Sequence, residues 1–445
     1  MNNITGNENI VIQNVTGSSI TVNVNGQIET IERKLEAILA YFAQFAAQNM
    51  QVANKIYNIG TITNANFDFV LEQLNYQKQF PAHLAQNLSQ NAQLGWVTSL
   101  KQSLSKQKVA VGSRPMDIFT HYGWLIETFL QKMCTDIGQE KSLRAFSFMT
   151  ECYHASLRYL CYIQIAQLLH QATSLNNKQI QDFLNLSPES QLNFDYLNLL
   201  ILSTSLLSQA QEFVPEIRTF TENFSDTQSD VFEVALFLDN YRDELLQNKL
   251  LSHENLAQLL EEYRTALVYW LREMAFVAKY RLVSIKDIQL NYRLGTAKVF
   301  VHSYGELHGI YDAATMGEDY TNYEVQDTFT YNHSVLLFAG TNIADCLEKM
   351  YQEQNYLSLS PLLIDQSVFA EKSKQTPEIY YYIGSNKREY HFALYKNEVD
   401  SENPQKEPNS NKKLVVKRQN NNQPKLDELF EHLGNVWVGK SEHKP

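Results

Sequence analysis

The apolar and polar positions of this chain change period twice. In ENIVIQNVTGSSITVNVNG, near the start, Ile10 and Ile12 lie on one side of a Thr-Gly-Ser-Ser turn, and Ile20, Val22 and Val24 lie on the other. All alternate with polar residues, which predicts a β-hairpin with one apolar face. Directly afterwards Ile28, Ile31, Leu35, Ile38, Phe42, Phe45 and Val52 fall at a and d spacing, with Asn49 the one polar member of the series. A short heptad seam of this kind buries itself against another helix. A hairpin too small to be stable alone, followed by such a helix, predicts an adaptor segment over residues 1–67, with the seam residues as its interaction site. KIYNIGTITNANF then breaks the helical period.

Residues 68–113 read as a polar, Gln-rich helical linker. From 114 to 280 the period is helical throughout. Met149, Tyr153, Leu157, Leu160 and Cys161 make one stripe; Leu256, Leu260, Tyr263, Leu267, Trp270, Met274 and Val277 make another, with Ser252 as the expected N-cap. Stripes on consecutive helices predict a bundle. Past 280 the period changes to two. Ile288, Leu290 and Tyr292 alternate, AKVFVH and HSVLLFAG are strand-like, and EIYYYIG with KREYHFALY predicts a hairpin across Ser385 and Asn386. With a helix near Ile343–Tyr351, residues 281–396 form a small α+β domain. Residues 397–425 have the composition of a disordered tether, and 426–445 hold a short helix and tail. The expected fold class is therefore α+β, mainly α.

The chain has 445 residues, enough for two or three cores, and its 44% hydrophobic content is that of a globular protein. Only 16 Gly and 10 Pro favour long helices over phosphate-cradling loops. A net charge of −12 weighs against general nucleic-acid binding. Cys134, Cys152, Cys161 and Cys346 form no C-x-x-C pair, so buried thiols in a reducing compartment are expected. The polar N-terminus carries no signal peptide, and the most apolar stretch, Tyr196–Leu207, is too short for a bilayer. It reads as a buried helix, and the expected location is cytoplasmic with no membrane partner.

Candidate chemistry is sparse. Gly434-Asn-Val-Trp-Val-Gly439-Lys440-Ser441 satisfies the P-loop pattern, but a helix precedes it and too little chain follows to build the phosphate-binding helix. Arg114 and His121 fit the R-x4-6-H spacing of HEPN ribonucleases, a spacing expected roughly once by chance in such a chain. Glu151, His154 and Arg158 share a helix face at i, i+3 and i+7, which predicts a solvated or interhelical charge ladder more than an iron site. His302, Tyr304, Glu306 and His308 would line one face of a continuous strand and could hold zinc, although Gly305 and Gly309 predict a bulge or turn there. The aromatic strands Ile379–Ile383 and Tyr390–Tyr395 could stack bases, but lack an RNA-binding signature and read better as core or interface. No catalytic residue, metal or cofactor is assigned.

The N-terminal GNENIVIQNVTGSSITVNVNG, a short helix and then ANKIYNIGTITNANF resemble the adaptor segments of bacterial conflict, or antiphage-defence, proteins. Such segments accompany effector-associated domains, STAND-type NTPases and caspase-like proteases. EMAFVAKYRLVSIKDI and LSLSPLLID are similar to modules of the same multidomain class. The resemblance implies homotypic recognition through the N-terminal segment and an NTPase or effector partner on another chain. The expectation is thus a homo-oligomeric, non-enzymatic adaptor, scaffold or sensor. Its rival is a HEPN-like ribonuclease or metal-dependent effector built on His121 or on His302 and His308.

Overall fold

The structure is a computed structural model. It describes residues 79–394 and 413–417, apart from 92–93, 113, 171–177, 189–193, 210–211, 227–228, 247–254, 293, 309–320, 326–329, 331–333, 350–354, 366–378 and 387–388. The hairpin, the seam residues Ile28, Ile31, Leu35, Ile38, Phe42, Phe45 and Val52, the Ser252 cap and the P-loop-like tail lie outside these. The chain divides after Phe80 into two units, and the helices and sheets described belong to the second.

One helix organises that unit. Helix α4 (Leu143–His170) is preceded by α1 (Gly95–Lys106), α2 (Trp124–Cys134) and the single turn α3 (Asp136–Gln139). After it come α5 (Lys178–Leu184), α6 (Tyr196–Leu206), α7 (Glu216–Ser225), α8 (Asp230–Leu246) and α9 (Leu256–Glu273). Along α4, Phe146, Met149, Cys152, Tyr153, Leu157, Leu160, Cys161, Ile163 and Ile165 are all buried, and they point to every side of the helix. A helix apolar all round has no solvent face to keep, so neighbours enclose it. Two of its buried polar residues are paired with neighbouring helices: Ser156 Oγ accepts from Trp270 Nε1 at 2.9 Å, and Gln164 Nε2 donates to Thr204 Oγ1 at 2.8 Å. Trp270 on α9 sits edge-on to Tyr153 at 5.3 Å and to Phe220 at 4.8 Å between ring centres. Helix α9 starts at Leu256, with Asn255 at its N-cap position.

The 68–113 stretch is not a simple linker. Helix α1 buries Trp96, Leu100 and Leu104 completely, so it is a wall of the bundle. Those residues recur at i, i+4 and i+8, an apolar stripe within an otherwise Gln- and Ser-rich sequence. Among the described residues no helix is long and apolar enough to cross a membrane, and the apolar α6 is a core helix as expected.

The strands begin where a 3-10 turn, Met274–Lys279, ends. Strands β1 (Tyr280–Asn291), β2 (Val299–Glu306), β3 (Thr321–Val325), β4 (Val335–Ala339) and β5 (Tyr356–Ser358) form an antiparallel sheet ordered β3-β2-β1-β4-β5. Helix α10 (Ile343–Lys349) covers one face, over a core that includes Val283, Ile285, Leu336 and Phe338. A second sheet is ordered β6-β7-β8-β9: Leu363–Asp365, Ile379–Ser385, Glu389–Leu394 and Lys413–Lys417. The hairpin at Ser385 and Asn386 is present, with Ser385 opposite Tyr390. The tether expected over 397–425 is interrupted, because KLVVK pairs with β8 and buries Val416. Five residues with one apolar side are enough for an edge strand, and too few to stand out in a Lys- and Asn-rich run.

Strand β7 is buried on both faces and docks on the helices. The Tyr162 hydroxyl donates to the Tyr382 carbonyl, the Tyr382 hydroxyl to the Leu184 carbonyl, and Ser385 N to the Leu186 carbonyl at 3.0 Å. Gly384 permits this approach. Its φ is +143°, and a Cβ there would lie 1.9 Å from the Leu186 oxygen.

Trp270→Ala would remove the centre of the aromatic cluster and the donor to Ser156 Oγ, which keeps its own bond to the Tyr153 carbonyl. A loss of about 3–5 kcal/mol is expected in urea unfolding; a loss below about 1 kcal/mol would contradict the packing described.

Candidate functional site

The residues that carry chemistry in the sequence meet around Arg281, the second residue of β1. A 3-10 turn, Pro115–Thr120, leads into α2 and ends at His121. Arg281 reaches that turn from the sheet. Its Nη1 donates to the Thr120 carbonyl at 2.6 Å, and its Nη2 lies 3.0 Å from His121 Nδ1. A guanidinium only donates, so Nδ1 is the acceptor and the His121 proton sits on Nε2. On its other side Arg281 Nε is 3.3 Å from the Thr341 carbonyl and 3.2 Å from Glu306 Oε1 at the end of β2. His308, two residues further on, also feels the Arg281 charge. His121, Glu306 and His308, drawn from two separate candidate motifs, therefore share one cation.

Burial sets the electrostatics. It lowers the His121 pKa from 6.5 to about 4, with Arg281 adding to the effect and Asp117 opposing it, so the ring is neutral at pH 7. Burial, then Arg281, lowers His308 as well. Glu306 is raised by burial despite the opposing pull of Arg281. Beside the cluster, buried Glu127 accepts from Tyr122 N and Gly123 N, each at 2.8 Å, and so ties down the first turn of α2. Sequence spacing does not reveal this role, although an acidic residue in a first helical turn is a known signal.

The motifs behave differently from their patterns. Arg114 turns to Asp117, with Nε 3.2 Å from Oδ1, while His121 takes Arg281 as its cation. The HEPN-type spacing thus supplies each residue with another partner. His302 is fully buried on β2 between Ile288 and Tyr323, and Gly305 continues the strand without a bulge. The irregularity falls instead on β1, between Ile285 and Asp287. His302 and His308 are six residues apart on an extended path, roughly 20 Å, too far to share one zinc ion.

Of the two alternatives for the Glu151, His154 and Arg158 face, solvated or interhelical, the solvated one does not hold. His154 and Arg158 are buried, with Nη2 3.0 Å from His154 Nδ1, whereas Glu151 is only half-buried. The Arg158 guanidinium stacks over Tyr381 of β7 at 4.6 Å and faces Tyr196 at 5.6 Å. The aromatic strands are core: Tyr380, Tyr381, Tyr382, Tyr390 and Phe392 are all buried.

No family model, curated protein or solved structure matches this chain. The geometry of the second unit bears on its function. One further feature bears on it. Among the described residues, β1 pairs with β4 over Tyr280–Ser284, and β2 pairs with β3 up to Phe300, opposite Val325. Past that point the β1–β2 hairpin adds only the Asn291–Val299 pair and the turn that joins the two strands. Leu290, Tyr292 and Leu294 at its end are 52%, 59% and 95% exposed.

Arg281 joins helical body to sheet, and a Lys could not span its partners. Arg281→Lys should cost about 1–3 kcal/mol in urea unfolding; an unchanged midpoint would contradict the joint. Because His121 titrates at about 4 in the folded protein and near 6.5 unfolded, the unfolded chain takes up its proton first as pH falls. Its contribution to stability is present above 6.5 and is lost between 6.5 and about 4. The difference between the wild-type and His121→Gln pH profiles isolates it, and parallel profiles would contradict the assignment.

Proposed function

We propose that this chain is a non-enzymatic protein–protein interaction component, an adaptor, scaffold or sensor in a bacterial defence or signalling complex. It works in the cytoplasm and self-associates through Ile28, Ile31, Leu35, Ile38, Phe42, Phe45 and Val52. The observation that carries the reading is the end of the β1–β2 hairpin, where Leu290, Tyr292 and Leu294 stand in solvent. Apolar residues gathered at an exposed hairpin end are better suited to a partner's surface than to a reaction. The Arg281 cluster supports the same reading. All three guanidinium nitrogens are engaged, with Thr120, His121, Thr341 and Glu306, so the one cation beside His121 is occupied as a joint. An NTPase or effector chain fits as the partner through the resemblance of the N-terminal segment.

The enzyme reading rests on His121 and Arg281 standing side by side. A ribonuclease would need that cation to turn toward a phosphate, breaking contacts with two carbonyls and a carboxylate.

The test is light-scattering mass of the full-length protein and of the variant carrying Ile31→Asp and Ile38→Asp. Two charges in the seam should collapse self-association and leave the thermal unfolding of the second unit unchanged. An unaltered mass would sink the seam.

A further inference from the structure

The Arg281 joint includes a partner that a single proton can turn against it. His121 is 6% exposed and its Nδ1 lies 3.0 Å from the guanidinium, so the ring is held there as a neutral acceptor. A proton on Nδ1 would replace that acceptor with an N–H and set cation against cation in the interior. Arg281 has another place to go, because its carboxylate partner, Glu306, is 41% exposed. The turn it would leave is anchored independently. Ile118 and Phe119 are buried, Asp117 accepts from Arg114 N at 2.7 Å, and Lys101 Nζ of α1 donates to the Gly112 carbonyl at 2.9 Å. Four further ionisable groups surround the pair: Asp117 on the turn, Glu127 on α2, Tyr159 on α4 and His308 beyond β2. Asp117, which favours a proton on His121, is itself paired with Arg114.

We propose that the Arg281–His121 contact is a proton-released catch: on taking up one proton His121 lets go of Arg281, the guanidinium turns to Glu306 and solvent, and the turn before α2 loosens from the first sheet while the rest of the unit stays folded. The inference rests on this joint and not on the adaptor reading. With the catch closed the ring titrates at about 4; with Arg281 gone and the ring wet it returns toward 6.5, so the open joint binds the proton first. Acid therefore favours opening from about 6.5 downward. Those two values make the open-to-closed ratio rise about 20-fold between about pH 7 and pH 5. Glu306 acts in the opposite sense, because burial raises its carboxyl and the closed joint holds that proton better. His308, lowered by burial and then by Arg281, shares the sign of His121. By reciprocity, a partner that draws Arg281 off the turn would also load His121 with a proton.

The experiment is amide hydrogen–deuterium exchange of the full-length protein at about pH 7, 6 and 5, with rates corrected for the intrinsic effect of pH. The amides of residues 120–123 include the two that Glu127 holds, Tyr122 N and Gly123 N. They should open about 20-fold more often at about pH 5 than at pH 7, and those of α4 should not. His121→Gln and His121→Asn each offer an acceptor that does not titrate, so in either variant the acid dependence should vanish. Glu306→Gln should retain it; loss there would place the proton elsewhere and overturn the role of His121. Opening that is indifferent to pH in the unmodified protein overturns the proposal without recourse to any variant. So does acid dependence that survives both His121 substitutions, or that disappears in His308→Gln while His121→Gln keeps it. Acid-driven exchange that spreads through α4 would be global unfolding, and it too would overturn a local catch.

Discussion

The second unit depends on burying one long helix, α4, on all sides from Cys152 to Leu168. Because α4 has no solvent face, something must cover each flank, and the rest of the unit supplies the covers. Helices α2, α6, α8 and α9 close the bundle, and α1 completes it through Trp96. The same constraint brings in the second sheet. Tyr162 and Arg158 on α4 meet Tyr382 and Tyr381 on β7, so that strand is buried like a core element although it lies far along the chain. Polar side chains on α4 then need partners in a low-dielectric interior, and Ser156 and Gln164 find them on α9 and α6.

Arg281 turns that packing into an orientation for the first sheet. It fixes the start of β1 against the turn before α2, while β4, β5 and α10 cover the strand's first half. Beyond Ser284 the far half of β1 keeps β2 beside it, and the end of that hairpin carries apolar residues in solvent. One network therefore accounts for two features. It takes the His121, Glu306 and His308 chemistry into structure, and it leaves Leu290, Tyr292 and Leu294 outside.

Much of the architecture was legible in the sequence, because period alone separates helices from strands. The change from helical spacing through Val277 to alternation at Ile288 and Leu290 marks the start of the sheets, and the hairpin at Ser385 and Asn386 follows from its flanking strands. Short or polar elements were less legible. Helix α1 hides its stripe among Gln and Ser, and β9 is five residues inside a low-complexity run. The site was legible only in its parts. His121, Glu306 and His308 stand out as reactive types, yet Arg281 lies 160 residues from His121, and no local pattern joins them. Spacing instead paired His121 with Arg114, whose nearer partner is Asp117.

The most direct test of the claim that this chain works by contact is hydrogen–deuterium exchange of the full-length protein at two concentrations, one below and one above the onset of association. Amides in 28–52 should slow at the higher concentration, while those around His121 and Arg281 should not change. Exchange that is identical at both concentrations throughout the chain would contradict the account.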